Sequence, residues 1–156
     1  MARVAVAATT VAPEPATALV MWADLDRWPM FVEGFARVLD RSGDWPREGS
    51  AVMWESIPEG RGRVIERVEA YAEPGPEGSG LLVTAVEDGS LTGEQTAAFH
   101  PVEGGSRVEL DLAYELTKRG PLTALADWIF IRRALRDALR RTLESFAVEA
   151  ESDTAE

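Results

Sequence analysis

One uninterrupted stretch near the C-terminus constrains the fold of this chain more than any other feature. Residues 122–150 contain neither glycine nor proline, and the preceding Gly120-Pro121 is typical of a helix start. Apolar residues recur here at alternating spacings of three and four, which indicates a helix with one buried stripe. The stripe contains Leu125, Trp128, Arg132, Leu135, Leu139, Thr142 or Leu143, and Phe146. We therefore predict a helix from Gly120 to about Ala150 that needs a large apolar surface to cover it.

The middle of the chain predicts that surface as a sheet. Between Gly34 and Leu116, glycine-containing turns recur roughly every 10 to 16 residues, a spacing typical of hairpins rather than of strand–helix–strand crossovers. The turns lie at 42–44, 58–62, 74–80, 88–89 and 104–105. Residues 107–116 alternate between large apolar side chains and polar or small ones. This pattern predicts antiparallel strands with one buried face.

The N-terminal segment has a different pattern. Arg3–Val11 is rich in valine, threonine and alanine, which favours a strand. Ala12-Pro13-Glu14 then predicts a helix start, because proline suits the first helical position and Glu14 complements the helix dipole. The apolar stripe of this helix contains Ala16, Leu19, Val20 and Ala23. We expect the helix to end near Asp24, with Pro29 interrupting any continuation.

Together these segments predict an α+β fold with one strand, a short helical region, six strands in hairpins and a long terminal helix. We expect a single curled antiparallel sheet of about seven strands around the C-terminal helix, with short helices between strands 1 and 2. Residues 1–150 are expected to form one domain, and residues 151–156 an acidic C-terminal tail. A cavity can open where the sheet and the helix separate.

The composition excludes several classes of function. Sixteen basic and 27 acidic residues give a net charge of −11, which repels phosphate backbones, so we expect no nucleic-acid partner. Because the chain has no cysteine and only one histidine, His100, we predict no metal site and no cofactor. The apolar run before Pro13 is too short to span a bilayer. We expect a cytoplasmic protein without stable membrane insertion, either monomeric or homodimeric.

Five short segments carry a resemblance to a known family. They are Ala12-Pro13-Glu14, residues 24–31, residues 49–54, residues 104–108 and Gly120-Pro121-Leu122. In order and spacing, over nearly the whole chain, they resemble the START-like (SRPBCC) helix-grip superfamily, which includes polyketide cyclase/dehydrase and lipid-transport-type proteins. The resemblance implies an apolar cavity between sheet and helix that takes hydrophobic small molecules and, in some members, cyclises or dehydrates a bound polyketide. No residue pattern here aligns with the polar groups of the aromatase/cyclase branch, so we transfer no catalytic residue.

We therefore expect binding of a hydrophobic small molecule of polyketide, lipid or isoprenoid type. The alternative is a polyketide cyclase/dehydratase in which Glu66, Tyr114 or Arg132 moves protons on the bound ligand. A third hypothesis is a protein-interaction module that uses the arginine-rich C-terminal helix. In that helix the all-apolar segment Trp128–Ile131 precedes five arginines between Arg132 and Arg141, a group otherwise typical of a solvated, ion-paired face.

Glu66 has two interpretations. It shares a strand face with Val64, Val68 and Ala70, whereas Ile65 and Tyr71 occupy the other face. If the first face is inward, Glu66 is a buried carboxylate whose pKa rises on desolvation, as suits a general acid or base. We favour the second interpretation, in which Ile65 and Tyr71 are buried and Glu66 is solvated.

Three further polar residues are candidates for orienting a ligand. Arg132 is the only charge in the helical stripe between Trp128 and Leu135, and it either reaches into the pocket or extends to water. Tyr114 is a phenol on the buried face of the last strand and needs a hydrogen-bond partner. Gln95 lies either in the pocket or at a solvent-facing edge.

The remaining ligand-binding candidates are apolar. We predict a pocket wall or entrance formed by Trp28, Met30, Phe31, Trp54, Val68, Val108, Leu110, Leu112 and Trp128. Trp28, Met30 and Phe31 either gate the cavity or cap the core beside Pro29, and Val108, Leu110 and Leu112 either line the cavity or meet the helix in a dry core.

Overall fold

The computed structural model describes residues 3–76, 78–117 and 124–154. The strands are β1 (Arg3–Val11), β2 (Phe35–Ser42), β3 (Ala51–Ser56), β4 (Arg63–Ala72), β5 (Gly80–Glu87), β6 (Leu91–Val102) and β7 (Gly105–Leu116). The helices are α1 (Pro15–Ala23), α2 (Trp28–Phe31) and α3 (Ala124–Thr154), and a 3₁₀ turn at Leu25–Arg27 connects α1 to α2. The α+β prediction, with seven strands and short helices between strands 1 and 2, is confirmed.

The seven strands form one antiparallel sheet in the order β1-β7-β6-β5-β4-β3-β2. Strands β2 to β7 pair with their sequence neighbours, which confirms the prediction of successive hairpins. The first two strands lie at opposite edges of the sheet, so α1, the 3₁₀ turn and α2 cross its whole width. The sheet curls around α3, as expected for a helix-grip fold.

The inner face of the sheet follows the predicted alternation most clearly in β7. Val108, Leu110, Leu112 and Tyr114 are all buried there, between exposed or half-buried neighbours. At the start of this strand, buried Ser106 donates its hydroxyl hydrogen to the carbonyl oxygen of Pro13 at 2.6 Å. This bond connects β7 to the segment between β1 and α1.

Helix α1 begins at Pro15, two residues after Pro13, the proline at which the sequence predicted its first turn. Glu14 is its N-cap and Pro15 occupies the first turn, where its missing N–H leaves no bond unmade. The predicted stripe is wrong at Ala16 and Val20, which are both exposed, because the buried side of α1 is centred on Ala18, Leu19 and Trp22. The apolar composition of this short helix made several stripes equally compatible with the sequence.

Helix α3 continues four residues past the predicted end at Ala150. The predicted start at Gly120-Pro121 lies outside the described residues, but the helix runs to Thr154, into the acidic segment. Arg27 contacts this end, with its guanidinium nitrogens 3.2 Å from a carboxylate oxygen of Glu149 and 3.0 Å from one of Asp153. No helix among the described residues is long and apolar enough to cross a membrane.

Candidate functional site

A cavity of about 70 Å³ lies between the inner face of the sheet and the middle of α3. Two cross-strand rows form its floor: Leu112, Gln95 and Thr84 are paired neighbours on β7, β6 and β5, as are Leu110, Ala97 and Leu82. The complete described lining is Trp22, Trp28, Val32, Glu33, Trp54, Arg61, Glu66, Leu82, Thr84, Gln95, Ala97, Leu110, Leu112, Leu135, Ala138, Leu139 and Thr142. The lining is mainly apolar, with a small polar group on the β3–β5 side.

Glu66 is the central polar residue of this site. It is only 7% exposed and lies on β4 between buried Val52 on β3 and buried Val86 on β5. Because Val64 and Val68 on the same face are buried as well, the interpretation favoured from the sequence, with Glu66 in solvent, is wrong. The β4 sequence has apolar residues on both faces, and its pairing with β3 and β5 decides which face is inward.

Two diagonal cross-strand neighbours hold the Glu66 carboxylate. The indole N–H of Trp54 donates to Oε2 at 2.7 Å, and the hydroxyl of Thr84 donates to Oε1 at 3.2 Å. Burial raises the pKa of Glu66, while the bond from Trp54, the charge of Arg61 and the bond from Thr84 act in the opposite direction. Glu66 is therefore a carboxyl group fixed in a largely apolar cavity.

Arg61 reaches the same cavity from the turn between β3 and β4. Its Nε donates to Oδ2 of Asp88 at 2.7 Å, and Oδ1 of Asp88 accepts backbone N–H bonds from Ser90 and Leu91 at 2.7 and 3.0 Å. Asp88 thus belongs to a turn that fixes its side chain, and this side chain fixes the guanidinium. No sequence pattern points to Arg61, because none shows that the two turns meet.

Glu33 and Thr142 close the cavity between α2 and α3. The backbone N–H of Glu33 donates to the Thr142 hydroxyl at 3.0 Å, and a carboxylate oxygen of Glu33 lies 3.5 Å from Nη1 of Arg141. The spacing in α3 predicted Thr142 or Leu143 in the buried stripe, and both are buried. No sequence pattern pointed to Glu33. Glu33 lies in the turn between α2 and β2, where hydrophobic periodicity gives no information about the direction of a side chain.

Trp28 is fixed as part of the cavity wall. Its indole N–H donates to the carbonyl oxygen of Trp22 at 2.8 Å. Its ring packs edge-to-face with Phe35, Trp45 and Trp54, at centroid distances of 5.8 to 6.4 Å. This aromatic group covers the β2–β3 end of the cavity, so Trp28 both closes the core and contacts the cavity.

The structure brings six of the sequence candidates together in the lining. They are Trp28, Trp54, Glu66, Gln95, Leu110 and Leu112. Phe31, Val68 and Val108 are buried in the core but outside this described lining, and Met30 is 62% exposed. Two residues on the same face of one strand can therefore differ: Leu110 lines the cavity, whereas Val108 is packed in the core.

Tyr114 lies on β7, between β1 and β6, whereas Trp128 and Arg132 lie in the first half of α3. Tyr114 is fully buried, and its hydroxyl has no hydrogen-bond partner among the described residues. Arg132 is half-buried on α3 and is not part of the cavity lining given above. The side chain of Trp128 lies outside the described residues.

The arginine-rich part of α3 forms ion pairs. Arg140 lies 3.4 Å from a carboxylate oxygen of Asp137 and 3.9 Å from one of Glu144. Arg141 pairs with Glu33, which lies outside the helix, with 3.5 Å between Nη1 and a carboxylate oxygen. One turn before the arginines, Phe130 is 74% exposed.

The sequence model of one protein family matches residues 1–151 of this chain. That family is described as polyketide cyclase / dehydrase and lipid transport. The chain belongs to this family. The resemblance found in the five short sequence segments is therefore confirmed over almost the entire length.

Solved structures of other proteins have the same fold. The protein TTHA0849 from Thermus thermophilus has a TM-score of 0.71 and 17% identity, with 97% of this chain and 99% of that chain covered. The di-domain ARO/CYC StfQ from the steffimycin biosynthetic pathway has a TM-score of 0.74 and 14% identity, covering 100% of this chain and 53% of that chain. No curated protein sequence matches this member of the polyketide cyclase / dehydrase and lipid transport family.

Proposed function

We propose that this protein binds a hydrophobic small molecule in the cavity between the sheet and α3. The observation that carries the proposal is a mainly apolar cavity into which a few fixed polar groups project, the usual design of a small-molecule site. Glu66 and Gln95 are the groups placed to orient the ligand, and apolar contact with residues such as Leu110 and Leu112 supplies the affinity. Membership of a family named for polyketide and lipid ligands supports the same conclusion.

The size of the cavity bears on the size of the ligand. At about 70 Å³ it is far smaller than the roughly 300–1,000 Å³ of most ligand pockets. A polyketide, lipid or isoprenoid of ordinary size enters only if α3 and the sheet move apart. With α3 and the sheet in their present positions, the cavity holds a ligand of a few heavy atoms, or one end of a longer molecule.

Native mass spectrometry of the freshly purified protein tests this proposal. We expect a defined adduct, and solvent extraction followed by mass analysis gives the chemical class of the bound molecule. Ala138→Leu, which fills part of the cavity from α3, serves as the matched variant and reduces the adduct. A bare protein mass, together with no change in melting temperature across a panel of small apolar compounds, would contradict the proposal.

A second function, proton transfer on a bound carbonyl compound, is favoured by one observation. Burial raises the pKa of Glu66, and its carboxyl group lies at the cavity surface, as general-base catalysis requires. In such a step Glu66 takes a proton from the carbon next to a carbonyl and returns one from solvent. The test is deuterium exchange at the central carbon of acetylacetone in D₂O, followed by NMR. We expect Glu66→Gln to remove an acceleration of about 10²–10⁴ over the uncatalysed exchange.

A further inference from the structure

The charges around the cavity do not balance. Among the described residues, Glu33, Arg61 and Glu66 are the charged residues in its lining. Arg61 is paired with Asp88 at 2.7 Å, and Glu33 with Arg141 at 3.5 Å. In the described part of the chain, no ion pair within 4.0 Å includes Glu66. The cavity therefore contains one acidic group whose ionised form has no counter-charge at contact distance.

The groups that do contact Glu66 are neutral. Trp54 and Thr84 each donate one hydrogen bond to the carboxylate and fix its position, but neither brings a positive charge. Holding an unpaired carboxylate away from water is unfavourable, and the protein relieves this cost either by protonation or by a bound cation. The raised pKa of Glu66 is the first of these responses. The second requires a ligand.

The rest of the lining suits a cation with an apolar body. Trp22, Trp28 and Trp54 all border the cavity, and indole is the side chain that attracts cations most strongly through its ring face. Gln95 and Thr142, in the same lining, carry oxygen atoms that can accept further hydrogen bonds. An ammonium group has three hydrogens to donate and no acceptor, which complements this set of groups.

We propose that the ligand of this cavity is a small primary amine, bound as its ammonium ion against the Glu66 carboxylate with its apolar part against the tryptophan and leucine wall. This inference rests on the proposed binding function and specifies its ligand class. A carboxylic acid or a phosphate ester of the same size is disfavoured, because it would bring a second negative charge next to Glu66. A metal ion is not the occupant we propose, since the described residues contain no group of three acidic or histidine ligands.

Matched ligands that differ only in charge test the proposal. The dissociation constants of n-butylamine and n-butanol, and of benzylamine and benzyl alcohol, are measured by titration calorimetry at pH 7.5, where both amines carry their proton. We expect each amine to bind at least tenfold more tightly than its alcohol. In Glu66→Gln this preference falls to threefold or less, while the affinity for the alcohol is retained.

Glu109→Gln is the matched control. It removes one negative charge from β7, outside the cavity lining, where Glu109 is paired with Arg107 at 2.9 Å, so the preference for amines stays within threefold of that of the unmodified protein. The comparison of amine with alcohol in the unmodified protein tests the proposal even if Glu66→Gln does not fold. Equal affinity for amine and alcohol, or a preference that persists in Glu66→Gln, would overturn the ligand class.

The two proposals fail in distinguishable ways. If the alcohols bind and the amines do not bind more tightly, the cavity is a small-molecule site and only the amine inference is wrong. If neither series binds and the purified protein has a bare native mass, the binding function itself is wrong. Binding of amines alone supports both proposals.

Discussion

Two parts of the core that packs against α3 differ sharply. Near the C-terminal end of α3, the ring centroid of Phe146 lies 5.1 Å from that of Trp22 and 5.0 Å from that of Phe31. Trp22 in turn lies 5.2 Å from Phe31 and 6.3 Å from Phe99. All four rings are buried. We call this group the aromatic cluster.

The cavity begins one helical turn away. On β6, Ala97 takes the position two residues before Phe99 on the same face, and on α3 Ala138 and Thr142 take the place that Phe146 has in the cluster. Small side chains thus stand where rings would fill the space, and Glu66 adds a carboxyl group. The difference shows that side-chain volume at a few positions, and not the backbone architecture, decides where this fold is solid and where it is hollow.

The largest effect is expected in the aromatic cluster. Phe146→Ala removes a fully buried ring that packs against Trp22 and Phe31, so the free energy of unfolding should fall by about 3–5 kcal/mol. Urea denaturation followed by circular dichroism measures it. Val148→Ala, at an exposed position on the same helix, is the control and should change stability by about 0.5 kcal/mol or less. A loss below about 1 kcal/mol for Phe146→Ala would show that this end is not tightly packed.

The same substitution at two alanines of α3 compares the two regions directly. Ala150 is fully buried, so Ala150→Leu should lower the free energy of unfolding by about 1–3 kcal/mol through overpacking. Ala138→Leu extends into the cavity and should cost less, while it weakens binding of benzyl alcohol by about tenfold. Denaturation and titration calorimetry measure the two effects. Equal destabilisation by both leucines would contradict the contrast between a solid and a hollow region.

The next effect on stability is expected from loss of the hydrogen bond that Trp54 donates to Glu66. Trp54→Phe removes the N–H and leaves a buried carboxylate oxygen without its donor, which should lower the free energy of unfolding by about 1–3 kcal/mol. Trp45→Phe is the matched control, because its indole N–H donates to the carbonyl oxygen of Ala23 at a half-buried site. Thermal denaturation of both variants should show the larger loss for Trp54→Phe, and the reverse order would contradict the role given to this bond.

The smallest expected effect is a pH dependence of the free energy of unfolding that arises from Glu66. Because burial raises the pKa of Glu66 above its ordinary value of 4.5, its contribution to stability is full below that value and is lost as the pH rises through its pKa in the folded protein. Glu66→Gln lacks this loss. The free energy of unfolding of the variant minus that of the unmodified protein should therefore increase from about pH 4.5 upward and then level off. Urea denaturation over a pH series measures it, and a difference that is flat or that decreases would contradict the burial of a titrating carboxyl.

The architecture could be predicted from sequence to a large extent because its signals are local. Glycine-containing turns separate the strands, the alternation in β7 marks its inner face, and the absence of glycine and proline marks α3. The strand Arg3–Val11 has the bounds expected for it. Each of these signals depends on residues within one element or one turn.

The candidate site could be predicted only in part because its contacts are distant in sequence. Trp54 and Thr84 reach Glu66 from two different strands, and Arg61 depends on Asp88, which is 27 residues away. For β4, both faces carry valine, isoleucine or tyrosine, so periodicity alone could not choose between them. The side chain of Glu66 turns inward because neighbouring strands provide the hydrogen-bond donors that make its burial tolerable.

The placement of β1 beside β7 has a consequence for folding during synthesis. Residues 3–11 pair with residues 106–114, so β1 leaves the ribosome well before β7, the strand with which it pairs. At roughly 5–20 residues per second, β1 waits on the order of 5–20 s for its partner, while the hairpins from β2 to β6 can already form. The high sequence separation of this pairing makes closure of the sheet by β1 a late and slow step. During that interval β1 is unpaired, and the valines at positions 4 and 6 make it an apolar strand with which other chains can pair.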